Sequence, residues 1–139
     1  MASIIPDSLL RDIATGAVDL DTDVFYAMLL GTGYTPSKSH AKRSDLTSEV
    51  SGTGYTAGGQ VCTITVTLDT VNHKLSVAVA DVTWTSANGF TAQYVAIYKH
   101  RGGAASADEL VAIGDFGSGR AAGGGNYVVS QSSPITIQN

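Results

Sequence analysis

The first residues that could bind a ligand are three aspartates, Asp19, Asp21 and Asp23, at every second position of the segment DLDTD. Alternating carboxylates of this kind open the calcium loop of an EF-hand. That loop also needs a glycine at its sixth position and a glutamate at its twelfth, and counting from Asp19 these positions hold Val24 and Leu30. The aspartates therefore predict a turn that leads into a strand, and no metal site.

Two glycine-rich segments invite a comparison with phosphate-binding loops: GTGYTAG at Gly52 to Gly58 and GSGRAAG at Gly117 to Gly123. Such loops have a fixed spacing and open a helix, whose first amides hold the anion. Both segments are longer than the dinucleotide-binding pattern allows, and each precedes an apparent strand. They predict flexible or tightly turning loops, and we expect no cofactor.

The histidines and the single cysteine form no catalytic or metal-binding pattern. His40, His73 and His100 are scattered among polar turns, without the spacing of metal ligands. Cys62 alternates with Ile64 along an apolar segment, which predicts a buried thiol rather than a nucleophile. No nucleophile, base and orienting acid can be identified together, although a fold can assemble them from distant parts of a chain. We expect a protein that is not an enzyme, and an enzyme stays the third alternative.

Positive charge is concentrated in one polar segment, which holds Lys38, His40, Lys42 and Arg43. The chain as a whole has a net charge of -4. Proteins that grip nucleic acid regardless of sequence need many clustered cations to replace the counterions of the phosphates. We therefore expect no direct nucleic-acid binding, and interpret the segment either as a solvated loop or as a contact patch for another protein.

The fold is indicated by apolar residues that recur at every second position from Val61 to Tyr98, as they do in strands. The alternation shifts by one residue after Asp81, which predicts a bulge or sharp bend near Ala80 and Asp81. The segment from Phe90 to Lys99 is apolar on both faces, which is typical of a strand that is covered on two sides. These patterns describe a β scaffold.

Further short strands are predicted on both sides of this region. They are Val24 to Leu30, Leu110 to Phe116, Tyr127 to Ser130 and Pro134 to Ile137, with a glycine-rich connection from Gly117 to Gly125. Turn signals at this spacing, with one helix, are typical of an all-β domain. The predicted fold is therefore mainly β, a jelly-roll-like antiparallel β-sandwich or barrel whose strand order the sequence does not reveal.

The only predicted helix runs from Pro6 to Thr15, because proline suits a first helical turn and Gly16 is placed to end it. Its apolar residues recur every four positions: Ile5, Leu9 and Ile13. They give the helix one apolar face, which docks either on the sheet or on a partner.

A chain of 139 residues fits one domain. Within it we expect an N-terminal helical arm at about residues 1–16 and a long ordered loop at about residues 31–59, which is rich in glycine, threonine, serine and tyrosine. Long loops without secondary structure are usually functional or flexible. This loop is therefore the first candidate for contacting another protein.

The start of the chain, MASIIPDSLLRD, has no basic region before its apolar residues, and Asp7 and Arg11 interrupt them. The longest uncharged apolar run, Val24 to Leu30, is too short to cross a bilayer. We expect a protein that works without its own export signal and does not bind membranes.

The aromatic residues offer one alternative, a sugar-binding platform. Trp84, with Phe90, Tyr94 and Tyr98, could stack against a sugar ring. However, Trp84 alternates with Val82 along an apolar strand, which favours a place in the core.

Four segments together resemble a known family. They are DLDTDVFYAMLLGTGYTP, EVSGTGYTAGG, DVTWTSANGFTAQYVAIYK and IGDFGSG, and they lie in this order between Asp19 and Gly119. This ordered set is similar to the capsid cement, or head decoration, proteins of tailed bacteriophages. The resemblance implies a jelly-roll domain without enzymatic activity that dimerises on the outer surface of the phage head and ties neighbouring major capsid proteins together.

The expected partners are therefore the major capsid protein and a second copy of the chain, and the expected location is the outside of the virion head. The candidate capsid-contact residues are Ile4, Ile5, Lys38, His40, Lys42 and Arg43. The glycine-rich segment from Gly117 to Gly125 is a further candidate contact element. The alternative is a tail, baseplate or receptor-binding module, in which the aromatic residues around Trp84 would hold carbohydrate.

Overall fold

The structure is a computed structural model, and it describes residues 2–138. Strands make up 46% of the chain and helices 10%, so the prediction of a mainly β fold with one helix near the N-terminus is confirmed. The helix is α1 (Asp7–Ala14). The strands are β1 (Ala2–Ile4), β2 (Phe25–Leu30), β3 (Gln60–Cys62), β4 (Ile64–Asp69), β5 (Lys74–Val79), β6 (Val82–Trp84), β7 (Asn88–Lys99), β8 (Leu110–Gly123), β9 (Tyr127–Val129) and β10 (Ile135–Gln138).

The strands form a sandwich of antiparallel sheets. The largest sheet has the order β1-β8-β7-β2-β3, and opposite it lie a three-stranded sheet, β10-β5-β4, and a two-stranded sheet, β6-β9. One face of the five-stranded sheet packs on the two smaller sheets, and apolar side chains from all three fill the space between them. We call this the main core; it includes Phe25, Val77, Trp84, Val95 and Val129.

The change from one small sheet to the other occurs where the sequence predicts a bend. Strand β5 ends at Val79 and pairs with β4 and β10, whereas β6 begins at Val82 and pairs with β9. Ala80 and Asp81 carry the chain between the two sheets, and they shift the alternation so that Val82 points into the main core. The predicted bend is therefore confirmed.

The five-stranded sheet is buried on both of its faces. Along β7, Val95 and Ile97 point into the main core, whereas Tyr94, Ala96 and Tyr98 point to the opposite face, as the sequence predicts. On that opposite face they form a second cluster, which we call the outer core. Its buried members are Met28, Leu30, Tyr34, Tyr94, Ala96, Tyr98, Leu110 and Ile113.

The outer core is covered by residues 31–59, which we call the covering loop. Tyr34 from this loop is buried in the outer core, and Leu46 packs against it. Apart from a 3₁₀ turn at Arg43–Asp45, the loop has no regular secondary structure. Its apolar side chains remove the outer face of the sheet from water, which is the dominant favourable contribution to folding.

The sequence predicts a glycine-rich connection from Gly117 to Gly125, and this prediction is wrong for most of the segment. Strand β8 continues to Gly123 and pairs with the early part of β7 through two shifts in register. Gly119 shows why a glycine is used at one position of this strand. A Cβ at Gly119 would lie 2.9 Å from a methyl carbon of Thr91 and 3.0 Å from one of Thr32, so only glycine lets these segments approach.

Part of the predicted N-terminal helical arm is a strand. Ala2–Ile4 form β1, an edge strand of the five-stranded sheet that pairs with β8. The helix follows within the predicted range, and Gly16 after it adopts a φ of 76°, a conformation that favours glycine. Leu9 is buried in the main core, so the helix docks on its own domain.

Gly59 offers a direct test of this packing. It has a φ of 82°, and a Cβ at this position would collide with the carbonyl of Ala27 on the neighbouring strand β2. We predict that Gly59→Ala lowers the free energy of unfolding by about 2 to 4 kcal/mol, because both the backbone conformation and the contact become strained. Gly103→Ala is the control, since a Cβ there meets nothing within 4 Å. Urea unfolding of both variants checks this; equal stability would contradict the packing described here.

Candidate functional site

Four of the six predicted contact residues lie together on the covering loop. The Lys38 side chain is exposed and forms no ion pair within residues 2–138. His40, Lys42 and Arg43 are half-buried, and each has a partner inside the domain. The cations of this segment therefore divide into one that is free to meet another molecule and others that hold the loop.

Lys42 and Arg43 hold the loop through ion pairs to the start of β8. Arg43 Nε donates to Asp108 Oδ2 at 2.7 Å, and Lys42 Nζ lies 3.4 Å from Glu109 Oε1. Arg101 grips Glu109 with two nitrogens, at 2.8 and 3.0 Å. We call these five residues the clamp. It joins the covering loop to the turn and strand that follow β7.

The acidic members of the clamp are out of water, so each depends on its partner. The Asp108 side chain is 0% exposed, and its second oxygen accepts the backbone N–H of Arg101 at 3.1 Å. Burying a carboxylate costs several kcal/mol unless a cation and further hydrogen bonds compensate for the lost water. Arg43 supplies that cation, and its guanidinium also lies over the Tyr98 ring, 5.2 Å from the centroid.

Backbone hydrogen bonds follow the same line as the ion pairs. Arg43 N–H donates to the Asp108 carbonyl at 2.9 Å, and Leu110 N–H donates to the Ala41 carbonyl at 3.0 Å. Within the loop, one oxygen of Asp45 accepts the N–H groups of Ala41 and Lys42, and these bonds lower the pKa of Asp45. The basic segment is thus fixed at both main-chain and side-chain level.

His40 is tied to the outer core through Tyr34. The Tyr34 hydroxyl lies 2.7 Å from His40 Nδ1, and the Tyr34 ring packs edge-on against Tyr94 with 5.4 Å between centroids. Burial raises the pKa of Tyr34 to about 12, so the hydroxyl stays protonated at neutral pH. The His40 imidazole is therefore anchored through its Nδ1 atom.

The far half of the loop is anchored by Glu49. Its carboxylate accepts the Tyr55 hydroxyl at 2.8 Å and the Gly58 N–H at 2.5 Å. Tyr55 also accepts the N–H of Leu29 from β2, and the Tyr98 hydroxyl donates to the Gly58 carbonyl at 2.6 Å. The middle and the second half of the covering loop are thereby both bonded to the rest of the domain.

The other two predicted contact residues, Ile4 and Ile5, have side chains that are only partly exposed. Ile4 lies in β1 and packs against the outer core, whereas Ile5 packs against the main core. The structure brings the start of the helix next to the basic segment, because the Asp7 N–H donates to the Lys38 carbonyl at 2.9 Å. Ile4 and Ile5 serve the fold, and Lys38 marks the exposed surface beside them.

The remaining chemical candidates have structural roles. Asp19 accepts the N–H groups of Asp21 and Thr22, which forms the predicted turn, and Asp23 pairs with Lys99 at 2.7 Å. Within residues 2–138 no group of three or more histidine, cysteine or acidic residues could hold a metal ion. No helix in the same range is long and apolar enough to cross a membrane.

Cys62 and Trp84 both lie in the main core. Burial raises the pKa of Cys62 to about 12, which keeps the thiol protonated and unreactive. Trp84 is 3% exposed and packs beside Tyr55 with 6.1 Å between ring centroids. It therefore offers no surface on which a sugar ring could stack.

The acidic half of the clamp, Asp108 and Glu109, was not predicted from the sequence. The available signal is the pair Asp108 and Glu109 directly before the apolar strand that begins at Leu110. Charged residues next to a buried strand need partners. The basic segment around Arg43 is the obvious source, but its distance of 65 residues along the chain hides the connection.

No protein-family model, curated protein or solved structure matches this chain. The function proposed below therefore depends on the geometry of the covering loop and on the four sequence blocks that resemble capsid cement proteins.

Removing Arg43 tests the clamp. We predict that Arg43→Ala lowers the free energy of unfolding by about 3 kcal/mol, because it leaves the buried carboxylate of Asp108 without its cation. Lys38→Ala is the matched control, since Lys38 lies on the same loop without an ion pair, and its effect should stay within about 0.5 kcal/mol. Chemical unfolding of the two variants provides the comparison. Equal effects would show that the clamp does not hold the loop.

The pKa of Glu109 leads to a prediction on how the stability of the fold changes in acid. Burial raises the pKa of Glu109, but the hydrogen bonds from Arg101 and the charge of Lys42 outweigh it and hold the pKa at about 2, below the ordinary 4.5. A carboxyl with a lowered pKa stabilises the folded state above its unfolded pKa, so this contribution should be lost from about pH 5 down to about pH 2.

Thermal unfolding followed across this pH range checks the prediction. In Glu109→Gln the fall in Tm on acidification should be smaller than in the original protein, whereas Asp81→Asn, which changes an exposed carboxylate without an ion pair, should leave the profile unchanged. Parallel profiles for all three proteins would rule out Glu109 as the source.

Proposed function

We propose that this chain is a non-enzymatic structural protein of a phage virion, which binds the outside of the head and cements neighbouring major capsid proteins. The proposal is supported by the ordered set of sequence blocks between Asp19 and Gly119, which resembles the cement family. A protein that binds the DNA-filled, expanded shell in preference to other states stabilises that shell by linkage. This task needs a firm scaffold and contact surfaces, and no bond chemistry.

The observation that carries the proposal is the clamped covering loop. A loop that is free before binding loses conformational entropy when it is ordered at an interface, and this loss weakens association. Here the clamp and the bonds around Glu49 order the loop when the domain folds, so this entropy is not lost on binding. A cement protein gains from such preorganisation because each copy must resist forces that separate two capsid subunits.

The contact surface that we propose is the exposed part of the basic segment. Lys38 supplies an unpaired positive charge, and His40 is held beside it by Tyr34. Lys42 and Arg43 contribute indirectly, because their charges are neutralised inside the domain by the clamp. Charged groups at the rim of an interface affect orientation and association rate more than affinity. We therefore assign Lys38 a role in guiding the protein to an acidic site on the capsid.

Deleting the protein from phage particles tests the function. Heads without it should assemble but release DNA more readily on heating or osmotic shock, because the expanded shell loses its external ties. Immunogold labelling should place the protein over the whole head surface. Heads that are equally robust without it would contradict the proposal, and labelling confined to the tail would favour the baseplate or receptor-binding alternative.

Substitutions at Lys38 sharpen this test. Adding back Lys38→Glu protein to deficient heads should give weaker binding than the original protein, by up to about fivefold, which corresponds to the loss of one exposed ion pair. Lys38→Arg keeps the charge and should bind normally. If both variants decorate heads as well as the original protein, the contact lies elsewhere on the domain.

A further inference from the structure

The three-stranded sheet has one face that changes from buried to open along its length. The cross-strand pairs Leu68 with Leu75 and Leu75 with Ile137 place these three side chains on the same face as Val77. Val77 is buried in the main core, whereas Leu75 and Ile137 are half-buried and Leu68 is 68% exposed. The end of this sheet therefore extends beyond the part of the sandwich that covers it, and it leaves leucine and isoleucine in contact with water.

Two adjoining grooves lie along this open end, and they share Leu75. One, of about 470 Å³, is lined by Leu68, Leu75 and Ile137 with Thr70 and His73 of the β4–β5 turn. The other, of about 330 Å³, lies between β4–β5 and the segment that follows α1. We call the two together the sheet-end groove. Its apolar lining comprises Ile13, Val18, Leu20, Val66, Leu68, Leu75 and Ile137. Its size suits several side chains of a ligand.

The charges at the groove are uneven. Asp19 and Asp21 line the part next to α1, and no lysine or arginine does. Asp19 uses its carboxylate to cap its own turn, and Asp21 is exposed and forms no ion pair within residues 2–138. At the other part, Asp69 stands directly across from Lys74, so that end is close to neutral. One end of the groove therefore attracts a cation.

The edges of the same sheet are also open. Within residues 2–138, β4 and β10 each pair only with β5, so both present an unpaired row of backbone groups. Open edges of apolar strands are a liability for aggregation unless something covers them, so this end of the sheet favours an occupant.

We propose that the sheet-end groove binds an extended, apolar segment of a partner protein that carries a basic side chain. Alternate apolar residues of the segment contact Leu68, Leu75 and Ile137, and its basic side chain meets Asp19 and Asp21. If the function proposed above holds, the segment belongs to a neighbouring capsid protein; the groove itself does not depend on that function.

The test uses the full chain and a pair of short, end-blocked peptides. One peptide alternates valine and threonine around a central lysine, and its twin has glutamate in place of that lysine. We expect the lysine peptide to shift the NMR signals of the methyl groups of Leu68, Leu75 and Ile137, and the glutamate peptide to bind at least about fivefold more weakly. Equal binding of the two peptides, or no shift at these methyl groups, would overturn the proposal.

Matched variants locate the binding. Leu68→Glu and Asp21→Lys should each weaken the lysine peptide by about fivefold to tenfold, a typical cost for a central contact. Val71→Glu and Asp81→Lys change exposed residues outside the groove lining and should bind as the original chain does. Since all four positions are exposed, folding should be retained, which circular dichroism confirms. Equal loss in the test and control variants would refute the assignment to the groove.

Three further outcomes separate this proposal from others. Sedimentation that shows a dimer lost only in Leu68→Glu would mean that a second copy occupies the groove, and the proposal would be wrong. Peptide binding without any effect of the protein on head stability would leave the groove in place and remove the cement function. If the original chain binds no peptide, and the Leu68→Glu and Asp21→Lys proteins still stabilise heads, the groove proposal is wrong and the cement function is kept.

Discussion

The structure depends on one constraint: the five-stranded sheet is apolar on both faces, so both faces must be covered. The smaller sheets and α1 cover one face, and the covering loop packs on the other. A segment without regular secondary structure can do this only if its backbone groups find partners. The clamp supplies partners in the middle of the loop, and the bonds around Glu49 supply them in its second half. The unusual features of the chain, its long loop and its buried acidic pair, follow from this single need.

Much of the fold could be predicted because it rests on local patterns. Neighbouring residues determine three of these features: the two apolar faces of β7, the bend at Ala80 and Asp81, and the limits of the helix. What could not be predicted depends on residues far apart in the chain. Strand β8 continues through its glycines by pairing with β7, and at Gly119 the absence of a side chain leaves room for Thr91 and Thr32, which no local pattern reveals.

The candidate site shows the same division. The basic segment was recognisable as a cluster of like charges, but its two roles were not. Arg43 is committed to Asp108, whereas Lys38 is free, and only the three-dimensional arrangement separates them. The sheet-end groove was hidden for a related reason: Leu68 and Val77 belong to equally regular strands, and their different exposure depends on where the sandwich ends.

The central claim is that the covering loop is part of the folded domain and is ordered before any partner binds. Amide hydrogen exchange of the free protein tests it most directly. The N–H groups of Gly31, Arg43 and Val50 donate to Ser48, Asp108 and Leu29. These three N–H groups should exchange as slowly as the amides of the central strand β7, since the loop and the sheet open together. Exchange at the rate of an unfolded chain, with β7 still protected, would contradict it.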